Sequence, residues 1–246
     1  MKRVADMDLF FEKYMGNLFR RIIEEGNRKD IKVVVEFAPG FRAKGAYALR
    51  EIGFVGTVYI IDINKKVLEY VEELYKLVLP DSEIIGLNYS LGDCIKYLPA
   101  EIDIFLTNHP LDDMIIFEYL GDKSDNAFNN DEKSKEFLYK AWDEILASSD
   151  LNKFKRNVIR EWKQFIDNIS IGMFILSQYK SAYYSNSDNM IEDYVKLVFL
   201  ELREIIGFDE NLIKSALEDV DPLLDDEFKV SDNIQNSENW IVIQNV

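Results

Sequence analysis

Short apolar runs without polar alternation constrain this chain more than any other feature. Ile31–Phe37 (IKVVVEF), Thr57–Asp62 (TVYIID) and Ile102–Asn108 (IDIFLTN) are β-rich and nearly continuously apolar, and Glu83–Leu87 and Gly172–Leu176 read the same way. A strand with one wet face alternates apolar and polar residues. A strand that is apolar on both faces must be covered on both, as in a parallel sheet lying between helix layers. Helical patterns occupy the intervals. Across Lys65–Leu79, the residues Val67, Leu68, Val71, Leu74, Tyr75 and Val78 fall on one stripe. Asp8–Glu25, within an N-terminal stretch 1–30, reads as a lead-in helix. The order β-α-β-α-β predicts a doubly wound α/β sheet with right-handed crossovers.

The C-terminal end narrows the topology. Glu227–Asp232 and Trp240–Ile243 both read as strands, with only a few polar residues between them. A parallel crossover needs about a dozen residues or more, so these two are expected to pair antiparallel. The result is a mostly parallel sheet with a reversed hairpin at one edge, whereas a dinucleotide-binding dehydrogenase sheet keeps its last strand parallel. Residues 111–168, between two expected strands, exceed what one loop and one helix require. Glu118–Asn130 is polar and turn-rich, and helices are expected over 132–148 and 151–168. This helical insertion is read as a lid over the carboxyl ends of the strands, within a single domain spanning 1–246.

Composition removes several function classes. The single cysteine, Cys94, excludes an internal disulfide framework and any multi-cysteine zinc site, and the single histidine, His109, excludes HExxH chemistry. No apolar run approaches the roughly 18 residues of a membrane helix. Met1–Asp8 carries no apolar stretch after its basic residues, so a soluble, cytoplasmic protein without a membrane association is expected. With 29 basic and 45 acidic residues the net charge is −16. Such a field repels phosphate backbones, which makes a nucleic-acid partner unlikely and a small-molecule one the expectation. The exception is a basic cluster, Lys153, Lys155, Arg156, Arg160 and Lys163, read as a solvated helix face or as a means of steering an anionic substrate.

The strongest local signal is the first strand-to-helix turn, Glu36-Phe37-Ala38-Pro39-Gly40, followed by Phe41-Arg42-Ala43-Lys44-Gly45. In doubly wound folds ligands bind at the carboxyl ends of the strands, and Gly40 can supply both an unusual φ and a close backbone approach. The turn is not a phosphate loop, because Ala46 and Tyr47 stand where Lys and Ser/Thr are required. Nor is it GxGxxG, since Ala38 replaces the first glycine. Asp62 ends the second strand about 20 residues further on, where an acid accepts from ribose hydroxyls. Its other reading is an N-cap for the helix that follows.

These segments, with Gly92-Asp93-Cys94 and Thr107-Asn108-His109-Pro110, resemble the successive motifs of class I S-adenosylmethionine-dependent methyltransferases, over about residues 31–113. The edge hairpin is similar to that family's seven-stranded Rossmann-like sheet, order 3-2-1-4-5-7-6. The resemblance implies S-adenosylmethionine as cofactor. It places Glu36 at the methionine end and Phe37, Ala38, Pro39 and Gly40 beneath the cofactor. It sets Asp62 with Ile63 at the ribose, and Asp93 with Cys94 at the adenine. Asn108 follows the strand facing the transferable methyl and counts as both a cofactor contact and a catalytic residue. His109, on the same loop, is the candidate proton acceptor. Leu111 stands where amino-group methyltransferases carry an aromatic residue, so adenine specificity is not implied. Asp112 and Asp113 read as solvated or helix-capping acids rather than metal ligands. Tyr179, Tyr183 and Tyr184 either pack or line an acceptor pocket. The function implied is methyl transfer to a small-molecule or other non-nucleic-acid acceptor. Two alternatives stay open: a noncatalytic member of the fold that binds a nucleoside or a protein, and an NAD-dependent oxidoreductase.

Overall fold

The computed structural model describes residues 2–121, 132–179, 189–220 and 234–246. The first half runs α1 (Lys2–Glu25), β1 (Val33–Phe37), α2 (Lys44–Glu51), β2 (Thr57–Ile61), α3 (Lys65–Val78), β3 (Glu83–Leu87), α4 (Leu91–Cys94) and β4 (Glu101–Asn108). Then come α5 (Leu111–Leu120), α6 (Glu132–Ala147), α7 (Leu151–Asn168), β5 (Ser170–Ser177), α8 (Asn189–Ile206), α9 (Glu210–Leu217) and β6 (Trp240–Gln244). The strands form one sheet in the order β3-β2-β1-β4-β5-β6. All neighbours are parallel except β5 and β6, which are antiparallel with Phe174 opposite Ile243. The reversed edge strand is therefore present. Its expected hairpin partner, 227–232, lies outside the described residues, so the sheet has six described strands rather than seven.

The apolar runs are continuous because successive side chains enter different layers. Val34, Ile60, Ile104, Leu106, Met173 and Ile175 pack toward α1, α2, α3 and α9. Val35, Phe37, Ile61, Phe105, Phe174 and Leu176 pack toward the helices of the other face, α4 to α8. Period-two geometry with both faces buried thus leaves no position for a polar alternate.

The helix pair expected as a lid does not act as one unit. On α7, Phe154, Val158, Trp162 and Phe165 are buried. The Trp162 ring meets Phe37 edge-on at 5.6 Å, Phe105 at 5.8 Å and Phe174 at 5.7 Å. Helix α7 is therefore the crossover helix covering the sheet between β4 and β5. Helix α6 packs on α5 and α8 instead, burying Trp142 and Ile145. Most of the polar segment 118–130 lies outside the described residues. Helix α5 was not anticipated. Its sequence, LDDMIIFEYL, is apolar on several sides, and Leu111, Met114, Ile115 and Ile116 are all buried.

Candidate active site

The carboxyl ends of β1, β2 and β4 meet above the sheet. After β1 the chain turns sharply, with Ala38 at φ 50° and Gly40 at φ 63°. The Ala38 N–H donates to the Ile61 carbonyl at 2.8 Å, tying the turn to β2. Gly40 is exposed, and open space faces the position a Cβ would take. A ligand can therefore approach this backbone directly. Ala38 holds a left-handed conformation that favours glycine, at a cost of about 1–2 kcal/mol. Ala38→Gly should relieve that strain and, after the added unfolded-state entropy, raise stability by about 0.5–1 kcal/mol. A denaturant titration with unchanged slope would show it. A lower midpoint would mean that the Ala38 methyl contributes more by packing than it costs by strain.

Asp62 follows β2 and is buried. Its carboxylate accepts from the Asn64 N–H at 2.8 Å and from the Gly40 N–H, so it spans the two loops. Burial raises its pKa to about 7 against those two amides. The helix cap is Asn64, whose side chain accepts from the Lys66 and Val67 N–H groups of α3. The capping role considered for Asp62 thus falls to its neighbour. Asn88, just after β3, donates to the Asp62 and Ile63 carbonyls at 2.9 and 2.8 Å and fixes the half-buried Ile63.

Glu36 is 1% exposed, and neither carboxylate oxygen has a hydrogen-bond partner of good geometry. Burial pushes its pKa upward, offset in part by the charge of Lys44 and the nearby Gly45 amide, while Glu12 adds to the rise. Gly45 is required here. A Cβ on it would stand 2.6 Å from the Tyr75 hydroxyl and 2.9 Å from Glu36 Oε2. The Tyr75 hydroxyl is also buried without a partner. Glu12, from α1, accepts from the Ala43 N–H at 3.3 Å at the entrance to α2.

The expected adenine residues differ from each other. Asp93 is exposed, and the Ser90 hydroxyl joins it to the start of α4, accepting from the Asp93 N–H and donating to its carboxylate, each at 3.2 Å. The Cys94 thiol is buried, donates to the Leu91 carbonyl at 3.0 Å and has its pKa pushed up to about 12 by burial. Only its backbone could meet a ligand. Glu161 of α7, absent from the sequence reading, accepts from the Gly92 N–H at 2.9 Å.

The β4 end is tied to the end of β5. The Asn108 amide oxygen accepts from the Ser177 hydroxyl at 2.9 Å, and its amide nitrogen donates to the Tyr179 hydroxyl at 3.1 Å. The Leu111 N–H of α5 donates to the Gln178 side chain at 3.1 Å. His109, at φ 62°, places Nε2 2.6 Å from the Tyr179 carbonyl and Nδ1 2.9 Å from Asp112 Oδ1. Burial alone would lower its pKa, but the Asp112 charge and hydrogen bond, with Asp113 and the Tyr179 carbonyl, raise it. Both nitrogens are engaged and the imidazolium is favoured. In this arrangement His109 ties the β4 loop to Tyr179 and to Asp112. Asn108 likewise holds β4 to β5. Tyr179 packs its ring 4.9 Å from that of His109, and Tyr183 and Tyr184 lie outside the described residues.

Asp113 lies beside Asp112 and His109, within reach of the charges of Asp62 and Lys44. Its side chain is exposed, yet protein surrounds it closely enough that desolvation, then the Asp112 charge, raises its pKa well above the usual carboxylate range. His109 and Lys44 oppose that rise, whereas Asp62 adds to it. Among the described residues no cluster of potential metal ligands is present, and no helix is long and apolar enough to cross a membrane.

No protein-family model and no curated protein matches the sequence. Among solved structures the chain is similar to an rRNA methylase from Streptococcus thermophilus, with 12% identity over 82% of this chain and 79% of that one, at a TM-score of 0.39. It is also similar to the plantazolicin methyltransferase BpumL in complex with SAH, with 11% identity over 96% of this chain and 85% of that one, at a TM-score of 0.46.

Proposed function

We propose that this chain is a class I S-adenosylmethionine-dependent methyltransferase. The observation that carries the reading is the pairing of two buried acids, Glu36 and Asp62, on neighbouring strand ends around the open Gly40 turn. Glu36 would face the methionine end of the cofactor, Asp62 and Ile63 the ribose, and Asp93 with the Cys94 backbone the adenine. The backbone from Phe37 to Gly40 would pass beneath. When bound, the cofactor supplies an activated methyl group on a sulfonium centre. The electrostatics supports a cationic ligand over an anionic one. Three acids, Glu36, Asp62 and Asp113, gather at these strand ends, and burial disfavours the ionised form of each. A nearby sulfonium would favour their ionised forms, whereas the diphosphate of NAD would oppose them.

The chain's own contribution is positioning and exclusion of water. The Asn108–Ser177 and His109–Tyr179 ties fix the loop on which an acceptor would rest. Asp113 is the carboxyl group there that can hold or take a proton. Helices α5 and α6 would set acceptor specificity. A small or otherwise non-nucleic-acid acceptor suits the acidic cleft and the net charge of −16. One observation favours a nucleic acid instead: Lys153, Arg156, Arg160 and Lys163 are exposed along one side of α7. Retention on single-stranded RNA at physiological salt would move the reading to that acceptor.

Calorimetric titration with S-adenosylhomocysteine and with NAD tests the cofactor. Saturable heat is expected with the thioether and none with NAD. The reverse pattern would overturn the methyltransferase reading.

A further inference from the structure

The outer surface of α7 and α8 carries two stripes that the cleft does not use. The helices lie side by side and run the same way. The Tyr194 hydroxyl donates to the Leu151 carbonyl at 2.6 Å, and further along both helices Lys155 pairs with Glu201. Away from the core, Lys153, Arg156 and Arg160 recur at three and four residues on α7, all exposed. Among the described residues none of these three has an ion-pair partner, and Lys163, next on the stripe, pairs with Asp167 at 3.4 Å. On α8 the same spacing exposes Met190, Asp193, Leu197, Leu200 and Glu204. Met190 is 63% exposed and Leu197 60%, whereas Ile191, Val195, Val198 and Leu202 fill the buried side. One exposed leucine needs no explanation, but an apolar stripe edged by acids and lying beside a cationic stripe marks a contact surface.

The two stripes complement each other, yet they cannot meet within one chain, because both face outward from the same layer. A two-fold axis running along the helices brings them together. It sets α7 of one copy on α8 of the other, twice, and keeps residues at the same height. Counting on from the Leu151–Tyr194 and Lys155–Glu201 contacts places Arg160 level with residues 203–206, the stretch that holds Glu204. We propose that this face joins two copies of the chain, with Arg160 opposite the partner's Glu204. The stems of the α7 lysine and arginines then cover Met190, Leu197 and Leu200 while their charged ends reach the acids. A polyanion such as single-stranded RNA would satisfy the cations but leave the apolar stripe in water. A second copy covers both.

Analytical ultracentrifugation of the full chain tests this at about 0.15 M salt, where repulsion between two acidic copies is screened beyond about 8 Å. The mass should rise with concentration from 28.8 kDa toward twice that value. Arg160→Glu and Glu204→Arg each set like charges opposite one another at both contacts, and each should raise the dimer dissociation constant at least about tenfold. An equimolar mixture of the two variants should dimerise again. In the mixed pair one contact is reversed and the other is wild-type, so both are complementary. Leu197→Asp should leave the chain monomeric, with a thermal midpoint in dilute solution near that of the wild type, because an exposed side chain contributes little to the folded monomer. A wild-type chain that stays at 28.8 kDa at every soluble concentration would overturn the proposal. Variants that dimerise like the wild type, or a mixture that fails to recover, would overturn it too. So would a monomeric wild-type chain that retains polyuridine and loses it in Arg160→Glu, since the basic stripe would then belong to a nucleic acid. None of these outcomes bears on the cofactor, which the calorimetric titration tests on its own.

Discussion

Trp162→Ala is expected to destabilise the fold by about 3–5 kcal/mol, the usual cost of emptying a large buried aromatic site. The indole is fully buried and contacts the rings of Phe37, Phe105 and Phe174, one from each of three adjacent strands. Those strands are spanned by rigid pairing, so the layer cannot collapse into the space, and the upper half of the range applies. Trp162→Phe should cost much less, because the indole N–H has no partner to lose and the new ring still fills most of the site. Thermal or denaturant unfolding of both variants distinguishes the roles considered for α7. A helix that opened as a lid would tolerate Trp162→Ala with little change in midpoint. A helix that forms one wall of the core would not.

What was legible in the sequence followed from local periodicity. The strand ending at Phe37 could be read because both its faces are covered, so Val33-Val34-Val35 needed no polar alternate. The stripe on α7 was legible for the same reason, but periodicity does not say which surface an apolar stripe covers. The ring contact of Trp162 with Phe105 supplies that surface. Helix α5 gave no stripe, since it buries Leu111, Met114, Ile115 and Ile116 in different directions.

The positions of Glu36, Gly40 and Asp62 were readable because each stands at or just after a strand end set by the same periodicity. The contacts of Glu12, Gln178 and Glu161 were not, since they depend on partners brought from distant segments. Glu161 meets Gly92 across the face of the sheet, and Gln178 caps a helix that begins at Leu111. His109 stood out as a unique residue, yet its chemistry is decided by Asp112 and the Tyr179 carbonyl. A residue type suggests a reaction, and its hydrogen bonds then permit or forbid it.

Asp62 should carry the largest share of cofactor affinity among the cleft acids. It already accepts from the Gly40 and Asn64 amides, so Asp62→Ala would orphan two N–H groups and disturb the turn as well as the ligand. Asp62→Asn keeps an acceptor oxygen for the backbone and removes the charge, which separates binding from folding. We expect its unfolding midpoint to stay near that of the wild-type chain. Its affinity for S-adenosylhomocysteine should fall by about 1.5–3 kcal/mol, as for hydrogen bonds to a charged acceptor. The pH dependence sharpens the test. Burial holds the Asp62 pKa at about 7, and ribose hydroxyls donate best to the ionised form. Wild-type affinity should therefore rise from pH 6 to pH 7, with a proton released on binding, by at most about tenfold per unit for a single group. Asp62→Asn has no such proton to lose, so its slope over that interval should be shallower than the wild type's, any remainder belonging to Glu36 and Asp113, whose pKa burial also raises. A slope equal to the wild type's would remove Asp62 from the ribose.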